Sequence, residues 1–131
     1  MSTVRVLSIR QPWAALIVAG FKHIELRSWP TRHRGLLAIH AGTRRDSAEL
    51  PQAVEESLLF GQLIQLQGVV IGTVNLQDCR RAVQADSSAA CCEVGTDLWA
   101  WVLDNPAKLS EPIPWKGRLG LCSMPWPGST D

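Results

Sequence analysis

The order of its strand-like and helix-like runs constrains this chain more than any other feature. Residues 4–9 (VRVLSI), 34–42 (RGLLAIHAG), 68–80 (GVVIGTVNLQDCR) and 97–104 (DLWAWVLD) are short runs of β-branched, aliphatic or aromatic side chains. Such runs suit a pleated, half-buried surface. Residues 23–29 (HIELRSW) alternate, with Ile24 and Leu26 pointing one way and His23, Glu25, Arg27 and Trp29 the other. Residues 116–125 (KGRLGLCSMP) read as a last short strand. Helical patterning occurs early and mid-chain. In RQPWAALIVAG (10–20), Pro12 suits the first turn, Gly20 suits the position past the end, and Trp13, Leu16 and Ile17 share a face. Residues 46–60 read as helical, with Pro51 marking a break or a second start. Residues 82–95, small and polar, read as a loop. Strands and helices do not alternate one by one, so a doubly wound parallel sheet is disfavoured. The pattern predicts an α+β fold: a small, curved, mixed but mostly antiparallel sheet or barrel of five or six strands, with helices at its periphery. Gly72, inside a strand run, predicts a bulge or sharp bend.

A chain of 131 residues with no repeat, low-complexity segment or linker reads as one domain, 1–131. No run of about 18 apolar residues is present, so no membrane helix is predicted. Arg10 and Pro12 interrupt the N-terminal apolar run, which argues against a signal peptide and makes the cytoplasm the expected compartment. Cys79, Cys91, Cys92 and Cys122 form no C-x-x-C, and the adjacent pair is poor zinc-ligand spacing, so free thiols and no metal are expected. Net charge is only +1, yet residues 1–45 hold eight bases and one acid, while residues 46–131 hold five bases and eleven acids. That asymmetry points to a basic face and an anionic partner.

No phosphate-binding G-x-x-x-x-G-K-[ST] loop, no G-x-G-x-x-G and no G-x-S-x-G is present, and no pair of histidines has metal-ligand spacing. The informative residues are the stretch AGFKHIELRSWP (19–30) and the six tryptophans, in a chain with no tyrosine. One reading of the stretch is a solvated edge strand, in which Glu25 and Arg27 form exposed pairs worth about 0–1 kcal/mol. Against this, the polar face carries Trp29, and Lys22 and Arg10 lie nearby. Clustered cations, one carboxylate and an indole suit an anion or a nucleobase. Trp29 and Trp115 are the stacking candidates; Trp13 reads as core, Trp99 and Trp101 as core or cavity wall, and Trp126 as surface. His40, at the end of a strand, is either hydrogen-bonded structure or a site residue.

The stretch LSIRQPWAALIVAGFKHIELRSW (7–29) resembles the ASCH domain, a relative of the PUA RNA-binding domain. That family's mark, G-x-K-x-x-E-x-R, falls on Gly20, Lys22, Glu25 and Arg27. IGTVNLQDC, WAWVLDNP and IPWKGRLGL also look like the family, so the resemblance covers roughly residues 5–124 of what would be a single-domain, bacterial-type member. It implies a PUA-like β-barrel with surrounding helices, a cleft lined by the motif, no cofactor, and RNA or a nucleotide-like ligand, in a regulator of RNA metabolism, translation or transcription. Binding would use Arg10, Lys22, Glu25, Arg27, Trp29, His40 and Trp115. Some small relatives are hydrolases, removing acetyl from N4-acetylcytidine or cleaving RNA; here Lys22 and Glu25 would be the catalytic residues. The amidohydrolase pattern K-x-x-T, however, meets Glu25 at its threonine, and its later catalytic glutamate falls near Asn75, three residues before Asp78. A lysine base also needs its pKa lowered from about 10.4 to about 7–8, roughly 4 kcal/mol. Arg10 and Arg27 would push in that direction and Glu25 against it. The sequence therefore favours a binding module, with a protein-interaction domain as a further possibility.

Overall fold

The structure, a computed structural model, describes residues 2–126. Strand β1 (Thr3–Gln11) leads through helix α1 (Trp13–Val18) to β2 (Ile24–Arg27) and β3 (Gly35–Arg45). Helices α2 (Gln52–Glu55) and α3 (Leu58–Leu63) precede β4 (Val69–Arg81). A 3-10 turn (Gln84–Asp86) and α4 (Ser87–Ala90) then lead to β5 (Trp99–Pro114) and β6 (Leu121–Pro125). The strands form one six-stranded sheet in the order β2-β5-β4-β3-β1-β6. Only β1 and β3 pair in parallel; the other neighbours are antiparallel. The α+β class and the mostly antiparallel sheet are as predicted. The barrel is not closed: β2 and β6 are edges.

Curvature comes from bulges. The β4–β5 pairing shifts register three times, between Val70 and Gly72, Thr73 and Asn75, and Leu76 and Asp78. Each extra residue bends and twists a strand. The bend predicted at Gly72 is one of them. Here α1 presses onto the sheet so closely that a Cβ at Gly72 would lie 2.5 Å from both the Ala107 carbonyl oxygen and Val18 Cγ1.

Helix α1 is too short to persist alone. It is held because Ala14, Ala15, Leu16, Ile17 and Val18 are all buried against Leu7, Ile9, Leu37, Ile39, Ile71 and Trp101. Gln11 fixes its start: the side-chain oxygen accepts from Ala15 N–H at 3.0 Å, and the amide donates to the Leu63 and Leu66 carbonyls. Trp13, expected in the core, is the one α1 residue left partly exposed.

Several boundaries differ from the sequence reading. The mid-chain helix starts only after Pro51, and it is two short helices, with Ser57 Oγ accepting from Phe60 N–H at 3.1 Å. Strand β5 runs on past Asn105 and Pro106 because its cross-strand partners on β4 continue to Val69. Residues 116–120 are irregular, so the last strand is shorter than predicted. The expected loop at 82–95 contains the 3-10 turn and α4, fixed by Asp86. Its carboxylate accepts two bonds from Arg80, at 2.8 and 2.9 Å, and one from Val83 N–H at 2.8 Å. Those bonds, the Arg80 guanidinium first, lower the Asp86 pKa from 3.8 to about 2. A carboxylate with a lowered native pKa stabilises the fold above its unfolded value and loses that contribution as pH falls through the native one. Asp86→Asn is therefore expected to reduce stability at neutral pH, with the difference from the parent vanishing between pH 3.8 and about 2. Urea melts across that range check this; a gap that persists at the acid end contradicts it. Among the described residues, no helix is long and apolar enough to cross a membrane.

Candidate nucleic-acid interface

The motif residues owe their position to the turn after α1. Gly20 has φ +89°, a left-handed conformation that costs a side-chain-bearing residue. It lets the amides of Phe21 and Lys22 fold back onto the Leu16 carbonyl, at 2.9 and 3.0 Å. Lys22 is thereby aimed inward and is only 3 % exposed. Its Nζ donates to the Ala90 carbonyl of α4, lies 3.7 Å from Glu25 Oε1, and sits 5.1 Å from the centre of the Trp13 ring.

Strand β2 is an edge strand, but neither face is simply solvated. Ile24 and Leu26 pack with Ala90, Ala100 and Cys92, so the segment around α4 covers the apolar side. On the other side Glu25 is 7 % exposed. Its Oε2 accepts from Arg27 Nη1 at 3.1 Å. The expected exposed pair is thus a largely buried one. The Arg27 guanidinium lies 5.7 Å from the Trp29 ring, which meets the fully buried Trp101 edge to face at 4.9 Å. Trp101 Nε1 donates to the Trp29 carbonyl.

Across the cleft, Asp46 accepts from Trp13 Nε1 at 2.8 Å and pairs with Arg10 at 3.2 Å. The Trp13 bond, followed by the Arg10 guanidinium, holds this carboxyl below its ordinary pKa. The groups form one chain from Arg10 through Asp46, Trp13, Lys22 and Glu25 to Arg27. They line an open cleft of about 500 Å³, with Arg118 to Gly120 completing the wall. The cleft lies between the β2 edge and the β1 and β6 side, where the sheet fails to close.

A second cleft, of about 720 Å³, adjoins it and shares Ser8, Ile9, Arg10, Arg118 and Leu119. His40 and Trp115 lie here. His40 Nε2 donates to the Trp115 carbonyl at 2.7 Å. Burial lowers the His40 pKa, outweighing the carbonyls of Trp115 and Gly68, which favour the charged ring.

Of the seven residues named from sequence, Arg10, Lys22, Glu25 and Arg27 meet in the first cleft, and His40 and Trp115 in the second. Trp29 stands behind Arg27 and lines neither. Asn75 donates to Asp104 at 2.7 Å on the neighbouring strand and lines neither cleft. Asp78 pairs with Arg34 at 3.6 Å. From the sequence Trp13 reads as core, and Arg44, Asp46, Lys116 and Arg118 are not named there as site residues. Trp13 carried a signal, because a first-turn residue is the least enclosed of a helix; the others sit in irregular or strand-end segments with no periodicity to read.

A model of the ASCH domain matches residues 7–113. Over 123 residues, 86 % of this chain, the human protein activating signal cointegrator 1 is 34 % identical and its mouse counterpart 35 %. The chain spans 21 % of the length of each. These curated relatives are mammalian, so the bacterial type expected from sequence is not borne out. Among solved structures, the ASCH protein of Zymomonas mobilis aligns with a TM-score of 0.62 at 17 % identity, covering 92 % of this chain and 87 % of that one. A variant of the same protein aligns at 0.59 and 15 % identity, covering 92 % of this chain and 89 % of that one. That likeness carries the fold, the family match carries the ancestry, and the chain belongs to the ASCH domain family.

Proposed function

We propose that the cleft around Gly20, Lys22, Glu25 and Arg27 binds RNA or a nucleotide, and that the protein is a binding module of RNA metabolism or translation. The observation that carries this reading is the convergence of Arg10, Arg27 and Arg118 on one open cleft with the Lys22–Glu25 pair at its floor. Arg27, held by Glu25 and backed by Trp29, and Arg10, held by Asp46, are pre-positioned for phosphate or carbonyl oxygens. Glu25 accepts from a base amine or orients Arg27. Trp13 and Trp115 offer stacking faces, while Trp29 acts through Arg27. Three phosphate contacts predict a log–log slope of single-stranded binding against salt of about −2. Arg27→Ala and Arg118→Ala are each expected to flatten it by about 0.7. Anisotropy of a labelled RNA over a salt series tests this; absence of binding at low salt, or a flat dependence, sinks the reading.

The alternative, a small hydrolase acting on N4-acetylcytidine or on RNA, keeps Lys22 and Glu25 as its catalytic pair. Lys22 Nζ is engaged by Ala90 and Glu25, and Asn75 by Asp104, which weighs for binding. Turnover of either substrate that disappears in a folded Lys22→Ala variant would reverse that preference.

A further inference from the structure

The second cleft differs from the first in two respects. No carboxylate lines it beside Arg10, Arg44, Lys116 and Arg118, and Arg10 alone of these pairs with an acid of the first cleft, Asp46, whereas the first balances its cations with Glu25 and Asp46. Two ring nitrogens at its wall, His40 Nδ1 and Trp115 Nε1, are buried without a hydrogen-bond partner among the described residues. Buried polar atoms left unpaired cost free energy until something completes them. Because His40 Nε2 donates to Trp115, Nδ1 of the neutral ring is an acceptor, and the indole N–H is a donor only. One acceptor and one donor are what a nucleobase edge needs. The irregular segment 116–120 rests directly on this wall: a Cβ at Gly117 would lie 3.0 Å from the His40 ring and 3.1 Å from Ser8 Oγ. The same Cβ position lies 3.4 Å from His40 Nδ1, so Gly117 stands directly over that acceptor.

We infer that the ligand is a single strand of at least two nucleotides, one in each cleft, with the connecting phosphate between Arg10 and Arg118. This rests on the binding role proposed above and extends it from one nucleotide to a strand. Arg10 and Arg118 are the cations common to both clefts, where a phosphodiester crossing between them must pass. Arg44 and Lys116 are free of any lining acid and serve the next phosphate, while Trp115 provides the second cleft's aromatic face.

The test is a length series on the full chain: uridine 5′-monophosphate against oligouridylates of two, four and six residues, and the matching thymidylates to distinguish ribose from deoxyribose. Affinity is expected to rise about tenfold or more from one nucleotide to four in at least one series. The double variant Arg44→Ala/Lys116→Ala should remove most of that gain and flatten the tetranucleotide salt slope by about 1.4, leaving mononucleotide affinity within about twofold. Equal affinity at all lengths, or equal weakening of mononucleotide and tetranucleotide by the double variant, overturns the strand while leaving the single-nucleotide site intact. Failure of every probe at low salt overturns both.

Discussion

Glu25→Ala is expected to destabilise the protein by about 3 kcal/mol. The carboxylate is shared: Oε1 faces Lys22 at 3.7 Å and Oε2 binds Arg27 at 3.1 Å, with the Lys22 side chain only 2 % exposed. Removing one partner of a buried pair leaves the other charge without compensation, and that penalty exceeds what the intact pair contributes. Arg27, 24 % exposed, can turn to water; Lys22 cannot, and keeps only the Ala90 carbonyl and the Trp13 face. The double variant Lys22→Met/Glu25→Leu is expected to recover most of the loss, since apolar replacement of a whole buried pair is often neutral. Urea melts of Lys22→Met, Glu25→Leu and the double variant close the cycle. A cost below about 1 kcal/mol for Glu25→Ala would mean that the carboxylate behaves as a surface group.

The second large effect comes from a residue with no side chain. Gly72→Ala would push a methyl group to 2.5 Å from a β5 carbonyl oxygen and from Val18 of α1. Overfilling a packed interior typically costs 1–3 kcal/mol, and the upper end, about 3 kcal/mol, is expected where one neighbour is backbone. The strain also falls on α1, whose C-terminal turn aims Lys22, so ligand affinity should weaken along with stability. Gly61→Ala is the control. It lies within α3 with nothing within 4 Å of the added carbon, and alanine there should stabilise by about 0.5 kcal/mol or more. Equal thermal midpoints for the two variants would refute the close approach at Gly72.

Much of the architecture follows from local rules. The aliphatic runs that became β1, β3 and β4 are legible because strand composition and side-chain alternation are properties of neighbouring residues. Gly20 is legible for the same reason: one position past a helical pattern, only glycine takes the left-handed turn cheaply. Alternation also separated Ile24 and Leu26 from Glu25 and Arg27 correctly. What it could not show is that the apolar face would be covered and Lys22 buried. That depends on α4, more than sixty residues further along, which packs on Ile24 and presents the Ala90 carbonyl to Lys22.

The same limit explains the missed residues. Asp46 meets Arg10 and Trp13 across separations of 36 and 33 residues, and Arg118 reaches the cleft from the segment leading into an edge strand. The length of β5 was hidden because pairing with β4, not its own composition, carries it through Asn105 and Pro106. By itself the sequence determined the main strands, helix α1, the α+β class and the motif, because these depend on backbone preference and near-neighbour periodicity. Tertiary structure alone decided that the sheet stays open between β2 and β6, that Glu25 is buried, and that two cationic clefts share Arg10 and Arg118. Those outcomes arise from bulge-driven curvature and from contacts between distant segments, whose closure no local pattern encodes.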